Sequence, residues 1–214
     1  MMENRSKYFI MTLLRHGESV GNAESRWQGQ SEFPLTDKGR TQARALAERW
    51  KKENAQFDLV ISSPLSRARE TAEIVASALN LKIELEPLLV ERHNGVFSGL
   101  TAQEVRQNFA HPDFYNPYDP VGEEGEGDWE LFLRAGQALH SLLKREPARY
   151  LIVSHGGLLN QLMHAVVGLA PQANNSGTRF RFSNTAFAQL FYYPSQHRWA
   201  IDKLNDHLHW PDAE

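Results

Sequence analysis

Two apolar runs in this chain each end on a histidine followed by glycine. Tyr8-Phe9-Ile10-Met11-Thr12-Leu13-Leu14 runs into Arg15-His16-Gly17-Glu18-Ser19, and Arg149-Tyr150-Leu151-Ile152-Val153 runs into Ser154-His155-Gly156-Gly157. A short apolar run that stops at polar residues and a glycine reads as a buried strand emptying into a turn. In open α/β sheets, ligands bind in the crevice at the carboxyl ends of the strands. The two histidines are therefore expected to meet at one rim.

Strand-like and helix-like segments alternate along the chain. That pattern predicts an α/β fold, a three-layer α/β/α sandwich with a mostly parallel central sheet. Thr36 reads as the N-cap of a helix reaching about Lys52, with Ala43, Leu46, Ala47 and Trp50 at helical spacing. Residues 57–61 read as a strand, and Ser63-Pro64 as a cap with proline at the first helical position of a helix reaching about Leu79. A short strand is expected near 83–85. Thr101 and Glu104 fit a capping box. Residues 111–128 read as a Pro/Gly/acid loop and 129–145 as a helix, with Trp129 and Phe132 in the core. After the second histidine a helix should place Leu158, Leu162, Met163 and Val166 on one side. Residues 179–204 read as strands around a turn at Tyr193-Pro194-Ser195-Gln196. No repeat or long linker divides the 214 residues, so one domain over 1–214 is expected.

No apolar stretch approaches the roughly 18 residues of a membrane span. Residues 1–7 lead into the first strand without the apolar segment of a secretory signal, so a cytoplasmic location is expected. Cysteine is absent, which excludes thiolate chemistry and cysteine metal sites. A net charge of −3 offers no broad basic field for nucleic acid, so any anion must be held by a local cluster.

Such a cluster can be read from the strand ends: Arg15 and His16 at one, Arg67 soon after Ser62-Ser63-Pro64 at another, His155 and Gly156 at a third. Arginine offers a planar fork that matches phosphate oxygens. Amides at Gly156-Gly157, opening a helix, would add N–H donors. A phosphoryl group suits this set better than a carboxylate because it has more oxygens to satisfy.

The segment Leu14-Arg15-His16-Gly17-Glu18-Ser19-Val20-Gly21-Asn22 resembles the signature of the histidine phosphatase superfamily, the phosphoglycerate-mutase-like group. The resemblance continues in order through residues 34–43, 62–72, 91–100 and 153–157. It implies that His16 is the nucleophile and forms a phosphohistidine. It implies that Arg15, Arg67 and His155 hold the phosphoryl oxygens, and that Glu91 is the acid and then the base. Asn22, Gln28, Gly29, Gly156 and Ser19 would lie at the substrate. The family often shows Gly-Glu-Ser near residue 126. Here Gly125-Glu126-Gly127 stands instead, so Glu126 is a candidate contact without the hydroxyl.

The expected activity is hydrolysis of a small phosphorylated metabolite, with no cofactor and no metal. His207-Leu208-His209 is the one tempting metal pair, and no third ligand is indicated. The alternative is a bisphosphoglycerate-dependent mutase. Mutases carry tyrosine where Asn94 stands and a longer insert with paired arginines. Residues 101–128 hold only Arg106 and turn acidic, a poor device for retaining a bisphosphate. A non-catalytic phospho-ligand binder would have lost His16, Glu91 or an arginine. The particular substrate and the oligomeric state stay open.

Overall fold

The computed structural model describes residues 7–110 and 112–210. Strands β1 (Phe9–Arg15), β2 (Leu59–Ser62), β3 (Ile83–Leu85), β4 (Arg149–Ser154), β5 (Phe187–Tyr193) and β6 (Arg198–Asp206) form one sheet in the order β3-β2-β4-β1-β5-β6. The pairs β3/β2, β2/β4 and β4/β1 are parallel, and β1/β5 and β5/β6 antiparallel. This is the mostly parallel sheet expected. The expected lead into β1 falls, for residues 1–6, outside the described residues.

The helices are α1 (Val20–Ala23), α2 (Asp37–Lys52), α3 (Ser66–Leu79), α4 (Ala102–Asn108), α5 (Asp128–Leu143) and α6 (Gly156–Val167). Alternation along the central strands sorts them into two layers. Met11, Leu13 and Ile152 face one core with Leu131, Leu142, Leu158 and Leu162 of α5 and α6. Leu14, Leu151 and Val153 face the other, with Leu46 and Trp50 of α2 and Ala72 and Val75 of α3. So the helix after β1 covers one face and the helix after β4 the other. A crevice opens between the two strand ends, where such sheets bind ligands.

Local signals account for most boundaries. Thr36 Oγ1 accepts from Gly39 N–H at 3.0 Å, as an N-cap should. Thr101 and Glu104 form the capping box. Gly39 is required by close approach: a Cβ there would sit 2.0 Å from the Glu18 carbonyl oxygen, so α2 starts hard against the turn that carries His16.

Several expectations need correction. Helix α3 starts at Ser66 with Leu65 as its N-cap, not at Ser63-Pro64, because Leu65 is extended (φ −60°, ψ 135°). Residues 179–186 are not strand; β5 begins at Phe187. Trp129 and Phe132 are half-buried rather than core and stack in series with Tyr118. The core stripe of α5 is Leu131, Ala135, Ala138, Leu139 and Leu142. Among the described residues no helix is long and apolar enough to cross a membrane.

Candidate active site

The strand register brings the two histidines together. Arg15 lies opposite Ser154, and His16 N–H donates to the Ser154 carbonyl at 3.0 Å. The His16 and His155 rings are 5.1 Å apart. On the next strand, Ser63 N–H donates to the Val153 carbonyl at 2.9 Å, which sets its hydroxyl beside His155. His16 lines a cavity of about 330 Å³ together with Arg15, Asn22, Arg26, Trp27, Gln28, Gly29, Arg67, Glu91, Arg92, Asn94, Gly156 and Gly157, while His155 and Ser63 are fully buried beside it and outside that lining.

His16 is 3% exposed, and its Nδ1 lies 2.7 Å from the Gly17 carbonyl oxygen. A carbonyl only accepts, so Nδ1 carries the proton and Nε2 keeps its lone pair. Burial, then Arg15 and Arg67, hold the His16 pKa well below its ordinary value. The ring is a neutral imidazole at physiological pH. Its turn is braced: Gly17 N–H donates to Thr71 Oγ1 at 3.0 Å, and Asn184 donates to the His16 carbonyl at 3.1 Å.

His155 is also held neutral, by burial first and then by Arg67, His16, Arg15 and Arg134. Its Nε2 lies 2.8 Å from Ser63 Oγ. Ser63 Oγ also accepts from Leu65 N–H at 3.3 Å. Among the described residues the Ser63 hydroxyl has no acceptor other than Nε2, so it donates there, which puts the ring proton on Nδ1. His155 Nδ1 is buried without a protein partner, and so are Arg15 Nε and Arg67 Nε. Three buried donors without acceptors are costly in an apolar interior. They are the mark of an anion site.

The rest of each guanidinium is fixed. Arg15 Nη1 donates to Phe182 O at 2.6 Å. Arg67, 1% exposed, donates to Ser31 O at 2.9 Å and Gly29 O at 2.7 Å, so it also shapes the wall that carries Gly29. Burial pushes its pKa down to about 10, against the opposing pull of Glu91 and Glu32. It remains charged at neutral pH. Asn22 Oδ1 accepts from Ser19 N–H and from Asn184, which leaves its NH₂ group for the cavity.

Glu91 lines the same cavity as His16, and its carboxylate is already engaged. Gly157 and Leu158 donate their N–H groups to its carboxylate at 3.0 and 3.1 Å, and Arg92 N–H donates at 2.8 Å. The Gly157 amide, one of the two expected to face an anion, is therefore taken by Glu91, as is that of Leu158.

Two of the residues expected at the substrate lie outside this lining. Ser19 is fully buried and does not line the cavity. It caps α1, and its hydroxyl donates to Gln28 Oε1 at 2.6 Å. Glu126 does not line it either. Both its oxygens are 2.7 Å from Arg134. Arg134 in turn donates to the carbonyls of Leu88, Val90 and Glu91, so the pair holds the segment that carries Glu91. The acidic run is only partly solvated: Glu123 and Glu124 are exposed, while Asp128 pairs with Arg92. The His207/His209 pair is engaged elsewhere, on Asn205 O and Thr185 Oγ1. Among the described residues no group of three or more histidine and acidic side chains could hold a metal.

Sequence reasoning missed Arg134, Ser63's hydroxyl, Asn184, and Arg26, Trp27 and Arg92 of the lining. Ser63 was visible in the motif but reads as a helix cap. The others carry no local signal.

A neutral imidazole, two buried guanidinia and a carboxylate thus border one cavity. Residues 11–207 match the family model of the histidine phosphatase superfamily (branch 1), and the chain belongs to that family. It is 37% identical to a protein of Escherichia fergusonii named "Probable phosphoglycerate mutase GpmB", over 92% of this chain and 93% of that protein. Among solved structures it resembles the alpha-ribazole phosphatase from Shigella flexneri, with 26% identity, TM-score 0.81 and 93% and 97% of the two chains covered. It also resembles a mycobacterial glucosyl-3-phosphoglycerate phosphatase in complex with VO3, with 29% identity, TM-score 0.78 and 92% and 99% covered.

Proposed function

We propose that this protein is a metal-independent phosphomonoesterase that acts on a small phosphorylated metabolite through a phosphohistidine at His16. The observation that carries the reading is the Nδ1–H donation of His16 to Gly17 O, which leaves Nε2 bare beside three unpartnered donors. The Nε2 lone pair attacks phosphorus as the bond to the ester oxygen breaks. Arg15, Arg67 and His155 hold the non-bridging oxygens. Glu91 gives the departing alkoxide its proton. Water then attacks phosphorus and returns a proton to Glu91, and the P–N bond breaks to free phosphate. Such transfers depend on positioning and charge stabilisation more than on covalent assistance.

Water is favoured as the final acceptor because residues 101–128 bring no arginine or lysine to the cavity. A mutase must retain a bisphosphate while it turns over. The phosphatase neighbours support hydrolysis; the printed name of the E. fergusonii relative favours the second reading, phosphoglycerate mutase. Rapid quench of the protein with a labelled ester should trap acid-labile, base-stable phosphate, lost in His16→Ala. Full activity in His16→Ala would overturn the assignment. With 3-phosphoglycerate and catalytic 2,3-bisphosphoglycerate, released phosphate should exceed 2-phosphoglycerate; rapid interconversion would establish the mutase.

A further inference from the structure

A second cavity of about 580 Å³ continues from the first, sharing Trp27, Arg92, Gly156 and Gly157 with it. Its far wall is the segment Thr178-Arg179-Phe180-Arg181. That segment is pinned to α6: the Thr178 carbonyl lies 2.6 Å from His164 Nε2, and Phe180 N–H donates to Asn160 Oδ1 at 2.8 Å. The next residue, Phe182, holds Arg15 through its carbonyl. Phe180 packs against the α5/α6 core and Phe182 is buried in it. The intervening Arg179 and Arg181 are exposed, and both line the cavity.

Neither arginine has an ion-pair or hydrogen-bond partner among the described residues, whereas Arg92 on the shared edge is paired with Asp128. Arg181 is close enough to Arg15 for the two charges to oppose each other. Two unneutralised guanidinia in a cavity that opens onto the phosphoryl site suit a second anion joined to the first.

We propose that Arg179 and Arg181 form the leaving-group subsite, and that the preferred substrate is a phosphomonoester whose alcohol portion carries a second acidic group such as a carboxylate. This rests on the phosphatase reading of the site. It also means that selectivity for acidic substrates comes from the wall before β5 and not from residues 101–128.

The test compares 3-phosphoglycerate with glycerol 3-phosphate, which differ in a carboxylate against a hydroxymethyl group. The wild type should favour the carboxylate ester in kcat/KM by about 10–100-fold, the range of one charge-assisted hydrogen bond. Arg179→Gln/Arg181→Gln should erase that preference through KM, with glycerol 3-phosphate turnover little changed. Equal losses on both esters, or no loss on either, would overturn the subsite. Binding of the two esters to His16→Ala protein, by calorimetry, gives a readout independent of turnover. There the carboxylate ester should bind at least tenfold tighter, and the double arginine substitution should remove the difference. If the wild type forms no phosphohistidine, the phosphatase reading fails. The binding difference then still decides the subsite, and its absence sinks the proposal.

Discussion

The carboxylate of Glu91 caps α6: Gly157 N–H donates to Oε2 at 3.0 Å and Leu158 N–H to Oε1 at 3.1 Å. Helix N-termini favour negative charge, so this is a stable seat for a carboxylate. Oε1 accepts from Leu158 and Arg92 and Oε2 only from Gly157, so Oε2 is the oxygen with a position left for a proton.

Gly157→Ala tests that relationship without removing the acid. A Cβ at this position would sit 2.5 Å from Glu91 Oε1, and the carboxylate is the part able to move. General acid assistance is worth about 10²–10⁴-fold, and only where the leaving group needs a proton. In single turnover, Gly157→Ala and Glu91→Gln should both slow phosphoenzyme formation far more with an alkyl phosphate than with an aryl phosphate. Equal losses on the two esters would show that Glu91 positions phosphate or supports α6 instead.

The histidines make stability pH-dependent. His16 and His155 are neutral in the fold, with pKa values held well below the unfolded value of about 6.5 by burial and the nearby arginines. Below that pH the unfolded chain takes up protons that the folded chain refuses. Stability should therefore fall as pH drops from 6.5, by up to about 1.4 kcal/mol per pH unit for each such group. His209, held at about 4 chiefly by burial, adds to the same slope. Urea unfolding at pH 6.5 and 5 should show this fall, and His16→Asn should flatten it by one proton. An unchanged slope in that variant would contradict a depressed His16.

Ser63 fixes the tautomer of His155 through the 2.8 Å contact to Nε2. Ser63→Ala leaves a buried ring nitrogen without a partner, at a cost of about 1–3 kcal/mol. It also frees the ring proton to move from Nδ1. Thermal unfolding should register the first effect. A fall in kcat of about tenfold, the upper range for one neutral hydrogen bond, should register the second. Retention of full kcat would remove Nδ1 of His155 from the phosphoryl site.

In the proposed reaction the positive charge at the phosphoryl group comes from Arg15 and Arg67, with His155 as a neutral donor. Incubation with a chelator should leave phosphate release unchanged. A loss restored by Zn²⁺ or Mg²⁺ would point to a metal-assisted step.

The parts legible in the sequence were those with a local signature. Strand ends at His16 and His155 could be read because an apolar run stops abruptly there. The caps at Thr36 and Thr101 could be read because a cap is a four-residue event. Residues whose meaning depends on a distant partner could not. Ser63-Pro64 has the look of a helix start, but Leu65 is extended and the Ser63 hydroxyl is engaged with His155 and Leu65 N–H. Glu126 lies beside the family pattern, yet its partner is Arg134, two turns into the helix that follows it. Residues 101–128 correspond to the stretch where mutases carry paired arginines and hold only Arg106. The unpaired Arg179 and Arg181 stand on the wall that leads into β5, which only the folded sheet brings next to Arg15.

Arg134 shows how such a partner can be separated into structural and positioning roles. Its guanidinium holds the carbonyls of Leu88, Val90 and Glu91 at 2.9, 2.7 and 3.1 Å while pairing with Glu126. Arg134→Met removes all of these and strands a largely buried Glu126 carboxylate. The stability loss should approach, without reaching, the roughly 3–5 kcal/mol of a fully buried broken pair, because both side chains keep some solvent contact. Arg134→Met/Glu126→Gln withdraws the stranded charge and should recover much of that stability. It does not restore the three carbonyl bonds that locate Glu91. Phosphoenzyme formation on an alkyl phosphate should therefore stay slow in the double variant, while the aryl rate recovers with the fold. If both rates recover in step with the urea midpoint, Arg134 only supports the fold and the positioning role is wrong.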